Sequence, residues 1–146
     1  MAEATTKIRP KVRPGEAMRL PEAIQYRLPP AGIVSILHRA SGLLMFALMP
    51  LLIWMFDKSV TSEISYDTFL SAFSKGLWIF PGFFIKLVCL ALIWAYLHHF
   101  IAGVRHLWMD MTHSVSKEQG HGSAVITLAL SSLLTVALGA KLFGIF

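Results

Sequence analysis

Apolar positions fall into three long runs along the chain. Ala40 to Phe56 carries no charge and extends backward through Ile33-Val-Ser-Ile-Leu37. Leu87 to Val104 has no Lys, Arg, Asp or Glu, and Ser123 to Ala140 has none either. Leu142 to Phe146 continues the last run past Lys141. None shows the strict alternation of a strand. A helix of about 20 apolar residues crosses a bilayer core, and each run reaches that length once its ends are included. The pattern predicts an all-α integral membrane protein with spans near 32–57, 79–108 and 122–145. Three segments cannot close a barrel, and lipid satisfies no backbone group, so helices are the available solution. Pro50 should kink the first helix. Leu77-Trp-Ile-Phe80, Pro81 and Gly82 read as an interfacial lead-in to the second, with Trp78 at headgroup depth. Lys86, about one turn further on, can snorkel.

Composition agrees. Of the 146 residues, 55% are hydrophobic and 14% charged, against roughly 25% charged in soluble domains. Mean hydropathy is +0.63. Cys89 is the single cysteine, which excludes a disulfide scaffold and a cysteine-based metal cluster within the chain. The net charge of +5 does not point to nucleic acid, because the charges flank apolar runs instead of forming a basic face. Their distribution predicts orientation. Lys7, Arg9, Lys11, Arg13, Arg19, Arg27, Arg39, Arg105 and Lys117 stand on one side, and Lys58, Lys75, Lys86 and Lys141 on the other. The N-terminus and the second loop are therefore expected in the cytoplasm. Residues 1–31, polar and rich in proline, read as a cytoplasmic arm without the features of a signal or transit peptide.

The residues that carry chemistry are the polar ones inside spans, because an ionisable group there is costly. The first cluster is Ser35-Ile-Leu-His38-Arg39-Ala-Ser41-Gly42. Ser35, His38, Arg39 and Gly42 follow the i, i+3, i+4, i+7 spacing of one helix face. A hydroxyl, a fixed cation and a titratable ring suit a quinone carbonyl, a propionate or a lipid phosphate. Arg39 taken alone also reads as a snorkelling interfacial arginine. The second cluster is His98-His99-Phe-Ile-Ala-Gly103-Val-Arg105-His106-Leu-Trp-Met-Asp110. His99, Gly103, His106 and Asp110 share a narrow stripe, and His98 and Arg105 form a neighbouring one. Gly103 removes bulk one turn from His99, as a flat macrocycle against the helix would require. Imidazole is a common axial ligand of haem iron. The competing reading is histidines that hydrogen-bond between helices. The two clusters lie toward the same ends of their spans and can meet. Adjacent histidines point about 100° apart, so a second ligand to one iron would come from a partner chain. His113 and His121 are expected in the loop, without a role, and Cys89 is expected to be packed or lipid-facing and inert.

These two motifs, in this order and on three spans, resemble the cytochrome b subunit of succinate dehydrogenase, the larger of the two small membrane anchors of respiratory complex II. Gln25-Tyr-Arg27-Leu-Pro29 also resembles the segment leading into the family's first span. The resemblance covers Arg19 to the C-terminus. It implies a heteromeric helix bundle in the bacterial inner membrane, built with a second small anchor, on which an iron–sulfur subunit and a flavoprotein dock. The flavoprotein would oxidise succinate, and electrons would pass to ubiquinone or menaquinone, in the respiratory chain and the tricarboxylic acid cycle. The chain itself would not turn over succinate. By position, His99 matches the family's axial ligand of haem b, shared with the partner anchor. His38 and Arg39 match the haem-propionate region, and Ser35 with Arg39 matches the quinone site, with Ile36 lining it. His106 and Asp110 match the end of the second motif, for a proton path or for docking the iron–sulfur subunit. The competing expectation is a haem-free structural subunit of a multi-subunit membrane complex.

Overall fold

A computed structural model describes residues 28–113 and 116–145 of the chain. Most of the expected arm, residues 1–27, lies outside the described residues. The described part folds into five helices: α1 (Pro30–Ala47), α2 (Met49–Val60), α3 (Glu63–Ser74), α4 (Gly82–Thr112) and α5 (Lys117–Leu142). Helices α1, α4 and α5 are long and apolar enough to cross a membrane.

The first span is α1 continued by α2. Proline has no N–H to donate and its ring crowds the preceding turn. The helix accordingly breaks at Leu48 (φ −93°, ψ 5°), two residues before Pro50, which sits in the first turn of α2. The ladder resumes at once, with Leu48 N–H donating to Leu44 and Leu52 N–H to Leu48. The span begins two residues earlier than expected, because Pro30 is pre-set for a first helical turn, and it ends three later.

Helix α3 was not anticipated. Its sequence lacks an apolar run, and it starts on a reciprocal cap in which the Ser62 and Ser65 hydroxyls each accept from the other's backbone N–H. It packs between α2 and α4. A tight turn follows, in which Leu77 and Phe80 exchange two hydrogen bonds of 2.9 Å. Trp78 sits at its tip with φ 54° and 97% exposure, as an interfacial aromatic would. Helix α4 therefore begins at Gly82, three residues later than expected. Helix α5 starts five residues earlier than expected because the Ser116 hydroxyl caps it, accepting from Gln119 N–H. His121 is thus helical and not in the loop, while His113 is the left-handed residue that ends α4.

Helix α4 is the central element, with α1 and α5 packed on it and on each other. The three meet at small side chains, Val34, Ala102 and Ala124, all fully buried. Small residues let backbones approach closely where lipid supplies no hydrophobic drive. Outside that seam the surface is apolar and exposed, as at Leu43, Phe46, Tyr96, Leu133 and Val136. Such a surface suits lipid or another membrane chain. Cys89 is partly buried beside a cavity bounded by Phe56 and Phe69.

Candidate functional site

The α1–α4 seam brings the two polar clusters together. His38 on α1 and His99 on α4 stack, with ring centroids 4.1 Å apart and planes 20° from parallel. His106, two turns along α4, has its ring tilted 52° to that of His38, with centroids 5.3 Å apart. Gly42 makes the approach possible. A Cβ there would stand 3.0 Å from His99 Cε1 and 3.3 Å from Nδ1. Gly103 instead leaves room beside His38, where a Cβ would lie 3.7 Å from Nε2.

The backbone fixes the tautomer of His99. Its Nδ1 lies 3.0 Å from the carbonyl oxygen of His38. A carbonyl can only accept, so Nδ1 carries the hydrogen. The Ser41 hydroxyl donates to the same carbonyl at 2.9 Å, and its oxygen lies 3.3 Å from Nδ1. With Nδ1–H held, Nε2 is the nitrogen left with a lone pair. A metal-binding histidine needs this arrangement, with one ring nitrogen oriented by a second-shell acceptor and the other free. The donor set therefore fits an axial haem ligand. Among the described residues no three His, Cys, Asp or Glu side chains converge as a metal site. A ligand on this chain would need its counterpart elsewhere.

His98 points the other way. It is 1% exposed, stacked on Trp94, with Nδ1 3.2 Å from the Ser131 hydroxyl on α5. Ser131 gives its own hydrogen to the Leu128 carbonyl, so His98 Nδ1–H is the donor. His98 Nε2 lies beside the Val34 backbone without a hydrogen bond of proper geometry. Enclosed by three helices, it has no room for a macrocycle. Arg105 joins it on that side, donating from Nε to Ser123 Oγ at 2.9 Å and from Nη2 to the Gly120 carbonyl at 3.2 Å. Both histidines bond between helices, His99 to the His38 carbonyl on α1 and His98 to Ser131 on α5, with Arg105 beside the latter.

The remaining candidates face outward. Ser35 is partly exposed, Ile36 half exposed and Arg39 exposed. Ser35 and Arg39 make no side-chain bond to another described residue. The predicted face is therefore divided: its His38–Gly42 edge packs on α4, and its Ser35–Arg39 edge is presented away from the bundle. Asp110 is exposed at the end of the second stripe. Ser41 was not singled out in the sequence, nor were Ser123 and Ser131. A hydroxyl at every fourth position of α5 (Ser123, Thr127, Ser131, Thr135) was the available signal.

The chain is similar to known membrane subunits of respiratory complexes. The family described as succinate dehydrogenase/fumarate reductase transmembrane subunit matches residues 13–138. The succinate dehydrogenase cytochrome b556 subunit of Paracoccus denitrificans is 32% identical over 111 residues, covering 76% of this chain and 80% of that protein. The subunit of the same name from Coxiella burnetii (strain RSA 493 / Nine Mile phase I) is 31% identical over 115 residues, covering 79% and 87%. The chain belongs to the family of succinate dehydrogenase and fumarate reductase transmembrane subunits, which its paired histidine motifs resemble.

Proposed function

We propose that this chain is the haem- and quinone-binding anchor of a succinate:quinone oxidoreductase in a bacterial cytoplasmic membrane, with its N-terminus in the cytoplasm. His99 Nε2 would be one axial ligand of haem b, and a second small anchor chain would give the other. When bound, haem b would supply a one-electron carrier. The observation that carries the reading is the His99 Nδ1–H bond to the His38 carbonyl. It orients the ring and leaves Nε2 unprotonated.

The chain's own residues have separate tasks. His38 and Arg39 are the groups for the haem propionates. Ser35 Oγ–H would donate to a quinone carbonyl. Arg39, a cation with no partner among the described residues, would stabilise negative charge as it develops on the quinone oxygens. Ile36 would flank the ring. The exposure of all three supports a pocket completed by another subunit. His106 and Asp110 are assigned to proton delivery from the aqueous side or to docking an iron–sulfur subunit. A flavoprotein would oxidise succinate, and the quinone would be ubiquinone or menaquinone.

The test of the quinone half uses the purified complex carrying Arg39→Leu. Succinate-to-quinone turnover should fall about 10²-fold, the usual scale for one lost electrostatic donor. Succinate-to-dye activity and subunit stoichiometry should hold. Normal quinone turnover in an assembled variant would refute the assignment.

A further inference from the structure

Arg105 is 8% exposed, yet no carboxylate lies within ion-pairing distance among the described residues. Its two hydrogen bonds run to neutral acceptors, the Ser123 hydroxyl and the Gly120 carbonyl. They use two of the five N–H donors of a guanidinium. A buried charge without a counterion is costly, and such groups are normally paired. Ser123 and Gly120 hold the group in place without neutralising it.

Beside it lies a cavity of about 720 Å³, walled by Arg105, Pro29, Ala31, Met109, Lys117 and His121. The cavity sits where α1 begins, α4 ends and α5 begins. Glu118 also reaches the wall, but it is exposed and makes no ion pair with Arg105. The walls are of two kinds. Arg105, Lys117 and His121 offer positive or donor groups, while Pro29, Ala31 and Met109 offer apolar contact. The volume is far larger than a free phosphate fills. Basic pockets between spans at the membrane surface suit anionic lipid headgroups.

We propose that this cavity binds the phosphate-bearing headgroup of an anionic phospholipid. The phosphate is seated against Arg105 with Lys117 and His121 at the rim, and the glycerol end rests on Pro29, Ala31 and Met109. The site stands apart from the haem and quinone reading, and depends on neither.

The test is native mass spectrometry of the purified, delipidated complex titrated with phosphatidylglycerol, phosphatidylcholine or inorganic phosphate. One phosphatidylglycerol per copy of this chain should be retained in preference to phosphatidylcholine. Lys117→Gln combined with His121→Gln should weaken it about fivefold or more, at roughly fivefold per lost surface charge. Arg105→Gln should weaken it more than tenfold, with Arg105→Lys between the two. If Arg105→Gln fails to assemble, the exposed Lys117 and His121 pair decides. Equal retention of phosphatidylcholine, or indifference to the double variant, overturns the proposal. So does displacement of the lipid by inorganic phosphate. Absence of any bound lipid would overturn it in favour of a partner's carboxylate as the counterion.

Discussion

Gly42→Ala is a sharp probe of the histidine seam. The added Cβ would meet His99 Cε1 at 3.0 Å, against about 3.5–4.0 Å for relaxed carbon contacts. The ring must retreat by about 0.5 Å or turn. It is confined by the His38 ring at 4.1 Å and tied by Nδ1–H to the His38 carbonyl. Either response strains that bond. Overpacking of this kind costs about 1–3 kcal/mol, and the lower half applies here because one ring edge can shift. A weaker Nδ1–H bond makes His99 a less basic ligand, which disfavours the ferric form of a bound haem. A loss of about 0.5–1 kcal/mol from that form raises the midpoint potential by about 20–45 mV, at 59 mV per tenfold change in a one-electron couple. The assay is a redox titration of the purified complex, with electron paramagnetic resonance of the ferric haem as a reading of ring orientation. Gly32→Ala is the control, since the nearest described atoms to a Cβ there belong to the Leu28 and Pro29 side chains, at 3.6 Å or more. An unchanged potential and unchanged resonance in Gly42→Ala would refute the account of the seam.

Gly82→Ala should be more damaging to folding than Gly42→Ala. Its Cβ would stand 2.6 Å from the Phe73 carbonyl oxygen and 2.8 Å from that of Ser74, so the α3–α4 junction must open, at a cost above about 2 kcal/mol. A thermal transition of the complex close to wild type would contradict this. Ser123→Ala removes the partner of Arg105 Nε and should cost about 1 kcal/mol, within the range for polar contacts between membrane helices. Chemical denaturation of the solubilised complex measures it, and a neutral outcome would mean that Arg105 finds an equivalent acceptor.

The spans were legible because their apolar runs are long, and that the two polar clusters can meet followed from where each sits in its span. What the sequence hid has physical causes. Helix α3 rests on a cap between two serines and on packing between α2 and α4, neither of which leaves a periodic apolar signature. The first six residues of α5 are polar or glycine, so hydropathy placed its start too late. The face from Ser35 to Gly42 is about 100° wide at 3.6 residues per turn, and α4 covers one edge of it. Periodicity could group Arg39 with His38 but could not say that Arg39 would face away from the bundle. His98 and His99, adjacent in sequence, differ because Ser131 receives one and the His38 carbonyl the other. The partner of each is far away in the chain, beyond the reach of local spacing.

The most direct measurement is the reduced-minus-oxidised visible spectrum of the purified complex in three forms: wild type, His99→Tyr and His98→Leu, each checked for full subunit content. The account predicts a b-type signal in wild type and in His98→Leu, and its loss in His99→Tyr. A signal that survives in His99→Tyr and disappears in His98→Leu would contradict the assignment of the ligand. A wild-type complex without the signal would contradict haem binding by this chain altogether.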